Sequence, residues 1–382
     1  MKLLIIGATP YFSNRGCHIR IYEEAKALQQ KGVDIELVTY HIGNNTQDIV
    51  THRSKNIPWY NKTDVGSSGK GLFDWKILAD ILLIFTTASR IVKYKPDYIY
   101  GHNQEGFMIG LVAKIITLSR KKVILDAQGS LTQEMITYGS IKKGSMQFKI
   151  FRFLESLAYR FAFKIFVSSE NMYEFMEKEY SQFIEKTSVL KDSYNSAVLQ
   201  SSPMNSDEIR LKYRIPKRSI VLLYTGSFTL SKGFDQFFEE IPKLIEKNPD
   251  LYIVLAGASR IDHFTKQISD QKLEDRVRII SPLNYFDLAE IITLGDIGID
   301  PKVGTTEASG KLLNYMAGNL PCFAYDCEYN RSLLGNDGNY FTQISEISEL
   351  INGVEIGRRE YDVIKKDSWE KSIQVILDLD KV

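Results

Sequence analysis

The chain has 382 residues, with 48 Lys and Arg against 47 Asp and Glu, 44% hydrophobic, 12% aromatic and 25% charged residues. That balance excludes a disordered or collagen-like chain. At roughly 150 residues per domain it predicts two or three self-sufficient cores, two similar α/β halves being favoured. The near-zero net charge hides two halves of opposite sign: residues 1–200 carry +7, residues 201–382 carry −6, and residues 51–164 alone carry +10. The basic stretch reads either as a surface for an anionic partner or as a solvated face. Cys17, Cys322 and Cys327 form neither a CxxC pair nor an even set, so no disulfide framework or structural zinc is expected, and a reducing compartment fits.

In chain order, MKLLIIGATPYF has four apolar residues before Gly7 and no small-residue cleavage site, so it reads as a first strand rather than a signal peptide. Residues 16–32 read as an amphipathic helix, with Ile21, Tyr22, Ala25 and Leu28 on one side and Glu23, Glu24, Lys26 and Lys31 opposite, stopped by Gly32. DIELVTY, PDYIYGH, KKVILDAQ and FKIFVSS follow as further strands. The uncharged apolar run Ile81 to Ser89 is far shorter than the roughly 18 residues a membrane span needs. In residues 146–166, Lys, Arg and aromatics interleave at helical spacing, as in a helix lying on a membrane surface or a buried helix covering a sheet.

Residues 193–208 are polar, contain Pro203, and read as a connection. A second rhythm follows: SIVLLYTG, DLYIVLAG, RVRIISP, DIGIDP and LPCFAYD are five strands alternating with helices such as 233–247 and 311–317. DSWEKSIQVILDLD closes the chain as one amphipathic helix. Strands separated by helices require right-handed crossovers, so both sheets are expected to be parallel and doubly wound. The domains are expected at residues 1–198 and 199–365, with 366–382 as the closing helix.

Three loops carry chemistry, because a helix N-terminus offers unpaired N–H groups to an anion. In LLIIGATPYFSNRGCHIR, Gly7 closes a strand and Gly16 opens the helix. The spacing is not GxGxxG, which weakens a nicotinamide-dependent oxidoreductase or epimerase. In VLLYTGSFTLSKGFDQF, Gly226 and Ser227 end a strand and Lys232 precedes Gly233 at a helix start, where its ammonium reaches a diphosphate or stays solvated. In KVGTTEASGKLLNYMAGNLP, Glu307 can accept hydrogen bonds from sugar hydroxyls while the amides of Gly310, Lys311 and Leu312 face an anion. The bland alternative is a helix capped by Ser309 or Thr306.

Together these elements resemble the retaining glycosyltransferases of family 4. The resemblance implies a GT-B fold, two Rossmann-like domains facing across a cleft with the C-terminal helix crossing back to the N-domain. It further implies that Gly16, Gly226, Ser227 and Lys232 hold the donor diphosphate, that Glu307, Ser309, Gly310, Lys311 and Leu312 contact sugar and phosphate, and that His102, Asp126 and Gln128 line the acceptor side. The chain departs from the family in two places. Asn314 follows Glu307 where a second Glu binds ribose, so the contact there is uncharged, and Gln128 stands where many members have His and cannot act as acid or base at neutral pH.

The implied activity is hexosyl transfer from a nucleotide diphosphate sugar to an acceptor hydroxyl with retention, in polysaccharide or glycoconjugate biosynthesis, with Glu307 and Lys232 as catalytic residues. No cofactor and no metal are expected: HExxH is missing, the five histidines are scattered, and the sole DxD is at residues 378–380. The expected partners are the nucleotide sugar, a glycan or lipid-linked acceptor and an anionic membrane surface, but no nucleic acid. The expected location is cytoplasmic, peripheral at the inner face of the cell membrane. The competing reading is a non-catalytic binder of sugar nucleotides or glycans on the same frame.

Overall fold

A computed structural model describes residues 1–12, 16–57, 72–137, 139–194, 205–229, 233–302, 309–362 and 368–381. The described residues group into two units, one from 1–192 with 369–381 and one from 193–302 with 309–368.

The first unit runs β1 (Lys2–Gly7), α1 (Gly16–Gln30), β2 (Asp34–Thr39), β3 (Val50–Arg53), α2 (Leu72–Tyr94), β4 (Tyr98–His102), α3 (Asn103–Ile116), β5 (Lys122–Ala127), α4 (Leu131–Thr137), α5 (Met146–Phe161), β6 (Lys164–Val167), α6 (Glu170–Glu179) and β7 (Thr187–Val189). The strands form a parallel sheet in the order β3-β2-β1-β4-β5-β6-β7. The second unit has β8 (Ile220–Ser227), β9 (Leu251–Ala258), β10 (Val277–Ile280), β11 (Ile297–Asp300), β12 (Cys322–Tyr325) and β13 (Gly338–Phe341), also parallel, in the order β10-β9-β8-β11-β12-β13. Strands covered on both faces read as unbroken apolar runs, and Leu3 to Ile6 and Val221 to Tyr224 are accordingly fully buried. Strand order reverses between β1 and β4 and between β8 and β11, the positions at which open α/β sheets bind ligands beyond the strands' carboxyl ends.

Several elements differ from the sequence reading. The short strands β3, β7 and β13 and the 23-residue helix α2 were not expected. The segment 146–166 is not one helix: Ala162 turns extended, and Phe163 N–H donates to Val123 O at 2.8 Å, which starts β6. The closing segment is three short helical turns, Trp369–Ser372, Gln374–Leu377 and Asp378–Lys381. It packs on the first unit, where Tyr98 OH donates to Leu379 O at 3.3 Å. Glu23 and Glu24, expected in solvent, are buried, and the turn Trp369–Ser372 contacts α1. None of the three cysteines is in a disulfide. Among the described residues no helix is long and apolar enough to cross a membrane.

Glycine sets the distance between α3 and its sheet. A Cβ on Gly101 would lie 2.3 Å from Phe107 N, and one on Gly106 would lie 2.6 Å from Ile6 O. Backbone meets backbone here and no side chain can yield. Gly101→Ala is therefore expected to cost about 3 kcal/mol or more, whereas Gly353→Ala, with no atom within 4 Å of its Cβ, should be nearly neutral. Urea unfolding midpoints of the two variants check this.

Candidate functional site

In the first unit, the parallel register aligns Gly7, His102 and Asp126 across the carboxyl ends of β1, β4 and β5. Beneath them lies Arg20, buried on α1. Its Nε and Nη2 donate to Asp126 Oδ2 and Oδ1 at 3.0 and 2.7 Å, Nη2 also donates to Leu190 O at 3.0 Å, and Nη1 donates to Asp192. The single Nε hydrogen goes to Asp126, so Glu24 Oε1, 2.7 Å from Nε, gains an ion pair rather than a hydrogen bond. Glu24 Oε2 instead accepts from Tyr100 OH at 3.0 Å.

His102 Nδ1 lies 2.9 Å from Asp126 Oδ2, which places a proton on Nδ1, while Nε2 lies 3.8 Å from Glu24 Oε2 and has no hydrogen-bond partner among the described residues. Gln128 Nε2 donates to Asp126 Oδ2 at 3.0 Å and lies 3.1 Å from His102 Nδ1. His102 and Asp126 are 2% and 0% exposed, while Gln128 is half-buried. Of the three residues expected on the acceptor side, Gln128 alone is open to contact, and the other two hold it. Glu24, His102 and Asp126 present ligand atoms within 4.8 Å of one another. The guanidinium already binds both oxygens of Asp126 and pairs with Glu24, so two of these three candidate ligands are engaged by a cation.

Burial drives Asp126 toward the neutral form, but Arg20 and then His102 overcome it and hold the carboxyl well below its ordinary range. At Glu24 burial wins: Arg20 offsets it only in part, Asp126 adds to it, and the pKa is pushed up to about 7 from 4.5. The folded protein thus takes a proton on Glu24 that the unfolded chain does not hold between about pH 4.5 and 7. The stability from this group is present in full below pH 4.5 and is lost as pH rises through 7, at no more than about 1.4 kcal/mol per pH unit. Asp126 contributes the opposite way, losing its stabilisation only in strong acid, outside this window.

In the second unit the site gathers at the ends of β8 and β11. Gly226 has φ +129°, and a Cβ on Gly257 would sit 1.8 Å from Gly226 O. Gly233 has φ +70°, and its Cβ would lie 2.1 Å from Pro301 O, so the start of the helix Phe234–Lys247 rests on the turn after β11. Arg260 clamps the same loop, donating to Asp235 at 2.9 and 2.7 Å and to Phe228 O at 3.0 Å. Asp300, fully buried at the end of β11, accepts from Lys311 Nζ at 2.9 Å, from the Lys302 N–H at 3.1 Å and from Ser309 Oγ. Burial raises its pKa, but Lys311 first and Ser309 next hold it below the ordinary carboxylate value.

Ser309 stands at the N-cap position, yet its hydroxyl serves Asp300 and makes no cap bond. The ammonium of Lys311 is committed to Asp300 and lies 4.8 Å from the Tyr224 ring centroid. What remains at the start of the helix Gly310–Ala317 is backbone: the first amides of a helix have no intrahelical acceptor. Gly310, Lys311 and Asn314 form its open stripe, while the side chains of Leu312, Leu313, Tyr315 and Met316 are core. Tyr315 OH accepts from Thr225 N–H at 2.8 Å and fixes the helix to β8. Ser227 ends β8, where its carbonyl accepts from Tyr224 OH at 2.8 Å. Gly16 is exposed at the start of α1, and among the described residues no atom lies within 4 Å of its Cβ position. Lys232 and Glu307 lie outside the described residues.

The sequence reading missed Arg20, Glu24, Asp192 and Asp300. Asp300 had a readable signal, since DIGIDP ends a strand on an acid just as VILDAQ nearly does. The Arg20 cluster had none, because its members are up to 172 positions apart. Glu24→Gln removes the titrating group. The stability of the wild type relative to this variant should fall by about 2 kcal/mol between pH 5 and pH 8. Urea unfolding of both proteins at the two pH values reads this, and a pH-independent difference would contradict the assignment.

Residues 15–183 match the family model described as Glycosyl transferase 4-like domain, and residues 205–366 match that described as Glycosyl transferases group 1. Two relatives come from Bacillus subtilis (strain 168). "Putative glycosyltransferase EpsD" is 28% identical over 141 residues, 37% of this chain and 36% of that protein. "Uncharacterized glycosyltransferase YqgM" is 26% identical over 117 residues, 30% of this chain and 33% of that protein. The chain matches about a third of the length of these relatives. Among solved structures, sucrose-phosphate synthase from Thermosynechococcus elongatus aligns with a TM-score of 0.71 at 14% identity, covering 100% of this chain and 96% of that one. Anabaena Alr3699/HepE in complex with UDP and glucose aligns at 0.70 and 17%, covering 99% and 95%. At such identities the likeness is one of fold, and that fold is GT-B with its two Rossmann-like domains. In chain order, the glycosyl transferase 4-like match falls on the first unit and the glycosyl transferases group 1 match on the second.

Proposed function

We propose that the protein is a retaining glycosyltransferase that moves a hexose from a nucleotide diphosphate sugar to an acceptor hydroxyl. The observation that carries this reading is the pair of glycosyl transferase family matches falling, in chain order, on the two doubly wound units. The HepE structures hold UDP, UDP and glucose, or UDP-glucose, which makes UDP-sugars the first donors to test here. A glycan or lipid-linked acceptor, polysaccharide or glycoconjugate biosynthesis, and a cytoplasmic location with peripheral contact to an anionic membrane belong to the same reading.

In this reading the bond between the anomeric carbon and the diphosphate oxygen breaks, the acceptor oxygen takes its place on the same face, and the departing oxygen receives the acceptor proton. No general base is needed, which accords with Gln128 where a histidine is usual. The protein supplies electrostatics: Lys232 and the amides of Gly310, Lys311 and Leu312 meet the charge that grows on the diphosphate. Since Asp300 already neutralises the Lys311 side chain, Lys232 is the cation on which this stabilisation rests. Glu307 grips sugar hydroxyls, Asn314 offers the ribose an uncharged partner, and Gly16, Gly226, Ser227 and Ser309 shape the donor loops. Gln128 touches the acceptor, held by Asp126 and His102 behind it.

A binder without turnover is favoured by one observation, the uncharged Asn314 and Gln128 at two positions where the resembled family carries titratable groups. Incubation with UDP-, GDP- and ADP-sugars and a panel of hydroxyl acceptors separates the readings. Transfer predicts nucleoside diphosphate release, which Lys232→Ala and Glu307→Ala each reduce by about 100-fold or more in kcat/KM. Donor binding without release across the panel would favour the binder. Release should also persist in excess EDTA, and a loss restored by added divalent cation would overturn the metal-free part of the reading.

A further inference from the structure

The helix α5 faces the wrong way for a helix that merely covers a sheet. At 100° per residue, Met146, Ile150, Phe153, Leu154 and Phe161 fall within an arc of about 100°, and each is between 42% and 72% exposed. The side turned to the core holds Glu155, Ala158 and Tyr159, all fully buried. The core face is anchored by polar contacts: Thr132, Tyr159 and Tyr180 hydroxyls donate to the Glu155 carboxylate at 2.8, 3.1 and 2.7 Å. The apolar side therefore has no partner among the described residues.

Charge says what partner it fits. From Lys142 to Lys164 the chain carries six cations and one carboxylate, and that carboxylate is the buried Glu155. Arg152 is engaged with Glu179 at 2.7 Å, while Lys142, Lys143, Lys149 and Arg160 are exposed around the apolar arc. An exposed apolar strip flanked by cations, with no exposed acid between Lys142 and Lys164, matches the interface of an anionic lipid bilayer, where apolar side chains enter the acyl boundary and cations meet headgroup phosphates.

We propose that α5 is a lipid-docking surface that seats the first unit on an anionic membrane through Ile150, Phe153 and Phe161, with Lys142, Lys143 and Lys149 on the headgroups. This deepens the membrane part of the reading above and rests on it, but not on the transfer chemistry.

The test uses the full-length protein and vesicles of phosphatidylcholine alone or mixed in equal parts with phosphatidylglycerol. The expected result is sedimentation with the anionic vesicles at low salt, weakening as salt screens the headgroups, and little with phosphatidylcholine alone. Ile150→Ser with Phe153→Ser should weaken binding at least tenfold. Lys142→Glu with Lys143→Glu should weaken it by about fivefold or more per cation removed. Thermal melting monitors folding, and since the charge pair lies before the helix it decides the matter if the apolar variant fails to fold. The proposal is overturned if the wild type stays in the supernatant, if folded variants bind like the wild type, or if light scattering shows that this face instead pairs two copies of the chain. Nucleoside diphosphate release from a soluble acceptor, measured in parallel, reports on transfer separately and should survive both sets of substitutions.

Discussion

A guanidinium cannot be removed from water without carboxylates to receive it, and Arg20 imposes that requirement on the whole first unit. The desolvation of such an ion costs several kcal/mol, offset only when geometry and hydrogen bonding are complete. Completion here draws on α1 through Glu24, on β5 through Asp126, and on the segment after β7 through Leu190 O and Asp192. The Trp369 ring, 5.9 Å away, adds the carboxyl-terminal segment. One side chain thereby ties the first helix to the far strands and to the end of the chain. The same bonds orient the site: Asp126, held ionised, fixes the His102 proton on Nδ1 and takes a hydrogen bond from Gln128, so Gln128 faces outward from a rigid base.

The second unit solves the converse problem, a buried acid that must find cations and donors. Asp300 consumes the Lys311 ammonium and the Ser309 hydroxyl. The consequence is a division of labour. Side chains of the loop and first turn build the frame, and the backbone is what faces outward. Glycine makes that frame compact, since Gly257 lets the Gly226 carbonyl lie where a methyl group would otherwise be, and Gly233 does the same for Pro301.

Strands such as Leu3–Ile6 and Val221–Tyr224 were legible because a parallel sheet buried on both faces leaves unbroken apolar runs, and the glycine-rich junctions after β8 and β11 stood out for the same reason. The edge strands β3 and β7 were not, because runs of four and three residues such as VTHR are too short to show a period. The helix α2 escaped because its apolar residues outnumber its polar ones around much of the cylinder. The polar site was legible only at its strand ends. His102 and Asp126 could be placed there from position alone, but Glu24 looked like the solvated side of an amphipathic helix, and no pattern in the sequence pointed to Arg20.

That failure and the reading of α5 are two forms of one limitation. A periodic pattern says that a helix has two chemically different sides and leaves open which side meets protein. In α1 the polar side is buried because its charges find one another. In α5 the apolar side is exposed because the core contact is already made by Ala158, Tyr159 and a glutamate satisfied by three hydroxyls. Burying a carboxylate toward the sheet while leaving phenylalanines in water is an unfavourable arrangement for a helix that only packs on its own domain. It becomes favourable once a second apolar phase lies against the outer side, so the orientation of α5 itself is the argument that this surface meets something other than water.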